Sequence, residues 1–325
     1  MERHTEQDIE RHTEYAPAKI NLFLKVKPQM LDGKHLLESI FTTISLYDSL
    51  TFDFEGKGPL AIDAVSLETS APAHMAFELA ADKNIVMRAV SLFISTFGGK
   101  MIDAKRLHIR LEKRIPVQAG LGGGSTDAAA ALKVLARAAN IDKTTPELLR
   151  IACLLGADVP FFLYGGCAFM GRFGDKLIES LPCPTLDLAL VKPAEGISTA
   201  KVYRAFDEQK PGGSGGVKTA AADSAPPAAA ADSSPLIAAL RNGAPAHELS
   251  KLMANNLEPV ATSMLNDITI IKRHLDAMPG VVKTMLAGSG PTVFAVCEDA
   301  GTAQRVAESL AKLGYWSCAV KTRIS

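Results

Sequence analysis

The sequence predicts an α+β chain of two domains. Three observations carry that reading. Stretches that alternate apolar and polar residues stand among stretches with helical spacing, several strands come as hairpin-like pairs, and no β-α-β unit repeats. With 325 residues, 47% hydrophobic and 22% charged, the chain is long and apolar enough to build two cores.

The elements follow in order. Residues 15–26, YAPAKINLFLKV, alternate, with Ile20, Leu22, Leu24 and Val26 on one face and Lys19, Asn21, Phe23 and Lys25 on the other. Residues 1–14 are charged and read as a solvated arm. LESIFTTISLYDSLTFDFE (37–55) reads as two strands joined at the turn-prone YDS. KNIVMRAVSLFISTFG (83–98) has helical spacing and ends on glycine, and RLHIRLEKRIPV alternates again with Leu107, Ile109 and Leu111 inward. Residues 126–141 are strongly helical, and 144–158 form a second helix with Pro146 in its first turn and Gly156 past its end. VPFFLYGGCAFMGRFGDKLIESL (159–181) reads as short strands around a glycine turn, and 186–199 as a strand entering a loop. Residues 208–235 are dominated by Gly, Ser, Ala and Pro and read as a flexible surface insertion. The rest is helix-rich up to a strand-turn-strand at 277–299, a helix at 301–314 and a last strand from Trp316. The expected division is 1–184 and 185–325.

Composition excludes several classes. Lys plus Arg equals Asp plus Glu at 35 each, which gives no electrostatic reason to expect nucleic acid or an anionic membrane as partner. No apolar run approaches the length of a membrane span, and the N-terminus lacks the pattern of a signal peptide. The five cysteines, Cys153, Cys167, Cys183, Cys297 and Cys318, form no C-x-x-C pair and read as reduced, mostly buried thiols of a cytoplasmic protein. The histidines show no metal-ligand spacing, so no protein metal site is expected.

The chemistry is announced by GLGGGSTDAA (120–129), where four glycines fall within five positions between a strand and a helix. A helix start offers amides without intrahelical partners and a partial positive charge, and glycines ahead of it admit an anion to bare backbone. Ser125, Thr126 and Asp127 occupy the expected helix-cap positions. This is not a Walker A loop, because the next lysine is Lys133, and not a dinucleotide fingerprint, because the sixth place from Gly120 is Ser125.

PVQAGLGGGSTDAAAAL (116–132) resembles the ATP loop of the GHMP kinases, and APAKINLFLKV (16–26) and LAGSGPTVFAV (286–296) resemble that family's other two signatures. With DGKHLLESIF and LGADVPFF, the pattern is most similar to the branch acting in non-mevalonate isoprenoid precursor biosynthesis. The resemblance runs from about residue 15 to the end, apart from the insertion. It implies a two-domain GHMP kinase fold, with an N-terminal domain like ribosomal protein S5 domain 2 and a ferredoxin-like C-terminal domain. It implies ATP with Mg2+ as donor, and as acceptor the 2-hydroxyl of a small molecule, the cytidine diphosphate-linked methylerythritol. The alternatives are another small-alcohol kinase of the homoserine or mevalonate type, and a non-catalytic nucleotide-binding regulator on the same fold. Whether the chain is a monomer or a homodimer stays open.

Carried over residue by residue, the resemblance makes Asp158 the base and Lys19 its partner near the transferred phosphate, keeping that carboxylate ionised. Pro116, Val117, Gln118, Ala119, Gly120, Leu121, Gly122, Gly123, Gly124, Ser125 and Thr126 form the ATP loop, with the Ser125 or Thr126 hydroxyl within reach of Mg2+. Asn21 would bond the erythritol end, His35 would offer its backbone to the cytosine edge, and Tyr203 would stack on the base. Lys34 stands where the family has the tyrosine that covers the second face. Tyr203 also fits a plain amphipathic helix position. The glycine turn 288–290 is expected against the same site.

Overall fold

The computed structural model describes residues 9–30, 33, 35–72, 84–208 and 232–322. Lys34, residues 1–8 of the expected arm and residues 209–231 of the expected insertion lie outside the described residues. The chain divides into two compact units that are not contiguous in sequence: Met1–Ala18, Leu46–Val117 and Gly122–Tyr164 make the first, and Lys19–Ser45, Gln118–Leu121 and Gly165–Ser325 the second.

The first unit takes the opening part of β1 (Ile9–Gln29), the closing part of β2 (His35–Glu55), β3 (Val65–Ser70) and β4 (Arg106–Glu112). β4 lies antiparallel to β2, pairing Leu50 with Leu111 and Phe54 with Leu107, and parallel to β3. Leu107, Ile109 and Leu111 are buried, as the alternation predicts. Among the described residues the first unit adds the helices α1 (Ile85–Phe97), α2 (Gly123–Ala138), α3 (Pro146–Leu155) and α4 (Val159–Tyr164). Asn84 caps α1 by accepting from the Val86 amide, and α3 starts on Pro146, where no intrahelical N–H is required. α2 packs on the other three, and its alanines at 128–131 let those helices approach closely.

The second unit holds the remainder of β1 and β2, a β5 (Cys167–Gly171) and β6 (Lys176–Leu181) hairpin antiparallel to β2, and the two-residue β8 (Ala254–Asn255) parallel to β1. A separate antiparallel sheet runs in the order β11 (Trp316–Lys321), β7 (Asp187–Lys192), β10 (Val293–Cys297), β9 (Val281–Leu286). Helices α5 (Thr199–Glu208), α6 (Ser234–Arg241), α7 (Ala246–Leu252), α8 (Glu258–Met264) and α9 (Asn266–Asp276) lie between β7 and β9, and α10 (Ala300–Lys312) between β10 and β11. That β-α-β-β-α-β succession is the ferredoxin-like arrangement. Its core joins Ile268, Ile271 and Leu275 of α9 and Val306 and Leu310 of α10 to Ala189, Val191, Val293 and Ala295 of the sheet.

Four expectations are corrected. Residues 9–14 are strand, not arm. The YDS segment does not turn: β2 is one strand of 21 residues, laddered to β4 from Ser49 onward, and the Asp48 carboxylate bonds distant backbone instead of its own. Residues 159–164 form α4 rather than a strand. Pro160 stands at the second helical position, where its missing N–H costs nothing, and Val159, Phe161, Phe162 and Leu163 are all buried. The expected insertion is also shorter at its end, since Ser234 and Pro235 open α6. All five cysteines are free, but Cys153 on α3 is exposed.

Across the first unit's strands, Asp53 on β2 accepts from Arg11 at 2.6 Å and Arg110 at 2.8 Å. The hydrogen bond from Arg11 leads in holding the Asp53 carboxyl below its usual value, with burial opposing it. A depressed carboxyl contributes stability above its unfolded pKa of about 3.9 and loses it as pH falls through the folded value. Asp53→Asn is therefore expected to lower the urea midpoint at pH 7, with the gap to the parent chain closing below about pH 4.

Candidate active site

β1 carries Lys19 and Asn21 on the face the alternation marks as polar, yet both faces are covered: Lys19 is 4% and Asn21 1% exposed. Burial on that scale requires partners. The Lys19 Nζ donates to Asn21 Oδ1 at 3.0 Å and lies 4.9 Å from the centroid of the Phe41 ring. Asn21 Nδ2 donates to Ser39 Oγ at 2.8 Å, and Ser39 donates to the Phe23 carbonyl at 2.7 Å. Because the hydroxyl hydrogen of Ser39 is committed to Phe23, Ser39 can only accept from Asn21, which fixes the amide with its oxygen toward Lys19.

Two other segments of the second unit meet this pair. The Lys19 amide donates to the Leu121 carbonyl at 3.0 Å, with Ala119 and Leu121 buried on either side of Gly120. Gly120 has φ +76°, and a Cβ there would overlap the Ala287 carbonyl oxygen and stand 3.0 Å from that of Gly290. Gly288 is tight but less so: its Cβ would lie 3.3 Å from Lys19 Nζ and 3.4 Å from Asn21 Oδ1. Asn255 on β8 pins that turn by donating to the carbonyls of Leu286 at 3.0 Å and Gly288 at 2.7 Å. The three signature segments therefore converge, with no room for a side chain at Gly120 and little at Gly288. Gln118 adopts φ +51° and is exposed, its side chain covering Gly196.

In the first unit, Pro116 is buried and Val117 half-buried. Gly122, at φ +74°, is the N-cap of α2, so the helix begins at Gly123. Ser125, Thr126 and Asp127 are thus inside the helix rather than at its cap, a correction that moves the start three residues toward the glycines. No side chain caps α2, Gly124 is exposed, and the nearest atom to a Cβ placed on it is Ile85 Cγ2 at 3.8 Å. Bare amides, open space and the positive end of a helix are what a nucleotide phosphate fits. Thr126 is 1% exposed, whereas Ser125 is half-buried. Among the described residues, no three His, Cys, Asp or Glu side chains are grouped as a metal site. Asp158 is half-buried and directly precedes α4; two residues earlier, a Cβ on Gly156 would stand 3.8 Å from Ser125 Oγ, so its turn lies beside the first turn of α2.

His35 and Tyr203 also come together. Their rings meet edge to face at 5.1 Å, and His35 Nε2 is 2.9 Å from Asp207 Oδ1 on the same helix as Tyr203. Tyr203 is indeed an amphipathic helix position, packed on the second core. Sequence reasoning passes over Ser39, Asn255 and Asp207, which are ordinary polar residues until the fold assembles them. It also passes over a buried ion cluster of Asp48, Lys113 and Asp127, in which Lys113 Nζ bonds Asp48 Oδ2 and, at 2.6 Å, Asp127 Oδ2. Burial works to lower the Lys113 ammonium, but the two carboxylates together outweigh it and hold it above the ordinary lysine value. Burial pushes the Asp127 carboxyl well up, and Lys113 offsets only part of that.

Comparison with known proteins places the chain among the small-molecule kinases. GHMP kinases N terminal domain is the family that matches residues 84–166, and GHMP kinases C terminal matches residues 236–315. The 4-diphosphocytidyl-2-C-methyl-D-erythritol kinase of Pelotomaculum thermopropionicum is 39% identical over 91% of this chain and 92% of its own length, and that of Desulfitobacterium hafniense 35% identical over 90% and 89%. A crystal structure of 4-(cytidine 5'-diphospho)-2C-methyl-D-erythritol kinase has a TM-score of 0.72 at 29% identity, covering 97% of this chain and 100% of its own. Mevalonate kinase from L. major shares the fold alone, with a TM-score of 0.70 at 16% identity and 98% of each chain covered. The chain belongs to the 4-diphosphocytidyl-2-C-methyl-D-erythritol kinase family of the GHMP kinases. No described helix is long and apolar enough to cross a membrane.

Two glycine substitutions separate packing from binding. Gly120→Ala incurs a left-handed backbone cost of about 1–3 kcal/mol in addition to the carbonyl overlap, and is expected to lower the thermal midpoint. Gly124→Ala meets only Ile85 Cγ2, at an ordinary contact distance of 3.8 Å, and should not lower the midpoint, while its methyl raises the ATP dissociation constant by about tenfold or more, ~1.4 kcal/mol of lost contact. Thermal unfolding and ATP titration of the two variants check this.

Proposed function

We propose that this chain transfers the γ-phosphoryl group of ATP to the 2-hydroxyl of 4-diphosphocytidyl-2-C-methyl-D-erythritol. The observation that carries the proposal is the convergence of Lys19 and Asn21 with Gly120 and Gly288. It sets a buried cation and a fixed amide against a backbone loop that runs into the uncapped start of α2. Phosphoryl transfer asks for little covalent chemistry from a protein; it asks for positioning, charge neutralisation and an acceptor for one proton. In this reading Asp158 takes the proton of the attacking hydroxyl, and Lys19 neutralises charge on the transferred group. Asn21, its orientation set by Ser39, bonds the erythritol end. The amides from Gly122 to Ser125 hold the phosphates.

ATP follows from membership of a kinase family; Mg2+ is part of the proposal. It would arrive on the phosphates, and Ser125 is the hydroxyl of the loop that keeps exposure. Tyr203 and Lys34 flank the cytosine, with the His35 backbone at its edge; the contact of His35 with Tyr203 supports a shared slot. The division of the chain near residue 184 belongs to the same reading, supported by family matches that fall on either side of it. A cytoplasmic setting and a monomer or homodimer complete it.

The test is product chemistry. The purified chain with ATP and Mg2+ is expected to add one phosphoryl group, seen by mass, to the cytidyl substrate and to neither homoserine nor mevalonate. Turnover with one of those two alone would overturn the acceptor, and ATP binding without ADP release from any acceptor would favour a regulator. Asp158→Asn keeps the side-chain size but cannot take a proton, so kcat should fall about 10²–10⁴-fold with ATP affinity held within a few-fold. Lys34→Tyr supplies an aromatic face and should lower the KM for the cytidyl substrate, since a stacked base gains about 1–3 kcal/mol, with kcat little changed.

A further inference from the structure

Between the last residue of β4 and the first of α2 the chain runs from Lys113 to Gly122 without regular structure. Both ends of this excursion are tied to one buried cluster in the first unit. At the leaving end, Asp48 Oδ1 accepts the backbone amides of Arg114 and, at 2.8 Å, Ile115, while its Oδ2 takes the Lys113 ammonium. At the returning end, the same ammonium reaches Asp127 in the second turn of α2 at 2.6 Å. The helix start rests on the cluster: a Cβ on Gly123 would lie 3.1 Å from Ile115 Cγ2 and 3.4 Å from Lys113 Nζ. Asp48, Lys113 and Asp127 have side chains 0%, 6% and 3% exposed.

Stability alone gives a weak reason for such a cluster. Desolvating three charges is expensive, and apolar replacements of similar volume are often neutral or stabilising. One ammonium also serves two carboxylates, and Asp127 Oδ1 is buried without a hydrogen-bond partner among the described residues. What the cluster provides is position. It fixes the direction in which the chain leaves β4 and the height at which the amides of Gly123, Gly124 and Ser125 stand.

We propose that Asp48, Lys113 and Asp127 are positioning residues for the nucleotide loop, acting on ATP through the backbone at the start of α2 and leaving the acceptor's binding untouched. This rests on reading that loop as the ATP site. Displacing such donors by an ångström can cost about 10²-fold in rate.

The test compares Lys113→Met, Asp127→Asn and the double variant Lys113→Met/Asp127→Leu in the full chain. Each is measured for thermal midpoint, kcat, and KM for ATP and for the cytidyl acceptor. Lys113→Met is expected to raise the ATP KM about tenfold or more with the acceptor KM within twofold. Asp127→Asn keeps an oxygen for Lys113 and should stay within about threefold on every parameter. If the single variant with two uncompensated carboxylates does not fold, the double variant, which leaves one carboxylate, Asp48, still bonded to the Arg114 and Ile115 amides, carries the test. A folded double variant with a parental midpoint and a raised ATP KM supports the proposal. A parental ATP KM in whichever of the two folds, or equal rises in both KM values, overturns it. Gly124→Ala separates the two readings: if it too leaves ATP binding unchanged, the loop is not the nucleotide site; if it weakens ATP binding while Lys113→Met does not, only the positioning role fails.

Discussion

The second unit is organised around the main-chain approach of Gly120 to the 287–290 turn. Two carbonyl oxygens occupy the space a Cβ would need, and the backbone at Gly120 is left-handed, so packing and conformation impose the same residue. Once that approach is made, the Leu121 carbonyl is placed to accept from Lys19, and Gly288 is placed beside the Lys19 ammonium and the Asn21 amide. Asn255 holds the turn from behind. Remove the close approach and these side chains lose the geometry that makes them a group.

Most of this polar apparatus is buried. Lys19, Asn21, Ser39 and Asn255 are each at or below 5% exposure, and the bonds among them leave little rotational freedom. A buried lysine and amide with fixed neighbours need not reorganise when charge moves, which is the property that makes an electrostatic site effective. The same reasoning explains why β1 lacks a solvent face here. Phe23 stands between Asn21 and Lys25 on the nominally polar side and is fully buried, so alternation still marks the two faces but no longer separates wet from dry.

The sequence made much of this legible. The glycine spacing located the loop, alternation located β1 and β4, and proline and glycine located the ends of α3. Local reasoning failed where a long-range partner decided the outcome. YDS carries turn residues, but Asp48 is committed to amides and an ammonium more than sixty positions away, so the strand continues. Val159 precedes a proline, yet burial of four of its helix-mates makes a helix. The helix cap lay at Gly122 rather than at the hydroxyl residues because the cap needed a left-handed backbone more than a side-chain acceptor. The ion cluster gave no local signal as a group: Asp48 reads as a turn residue, Asp127 as a helix cap and Lys113 as one more strand-end lysine until the fold brings them together.

The interleaving of the two units sets a limit on inheritance. The chain passes from one to the other at residues 18/19, 45/46, 117/118, 121/122 and 164/165, and both β1 and β2 are split by the passage. A single cut at 164/165 would leave Lys19–Ser45 and Gln118–Leu121 with the wrong piece, so the two units do not separate at one point in the chain. What can be exchanged without crossing from one unit to the other is a stretch that lies wholly in one of them, such as α6 to α10.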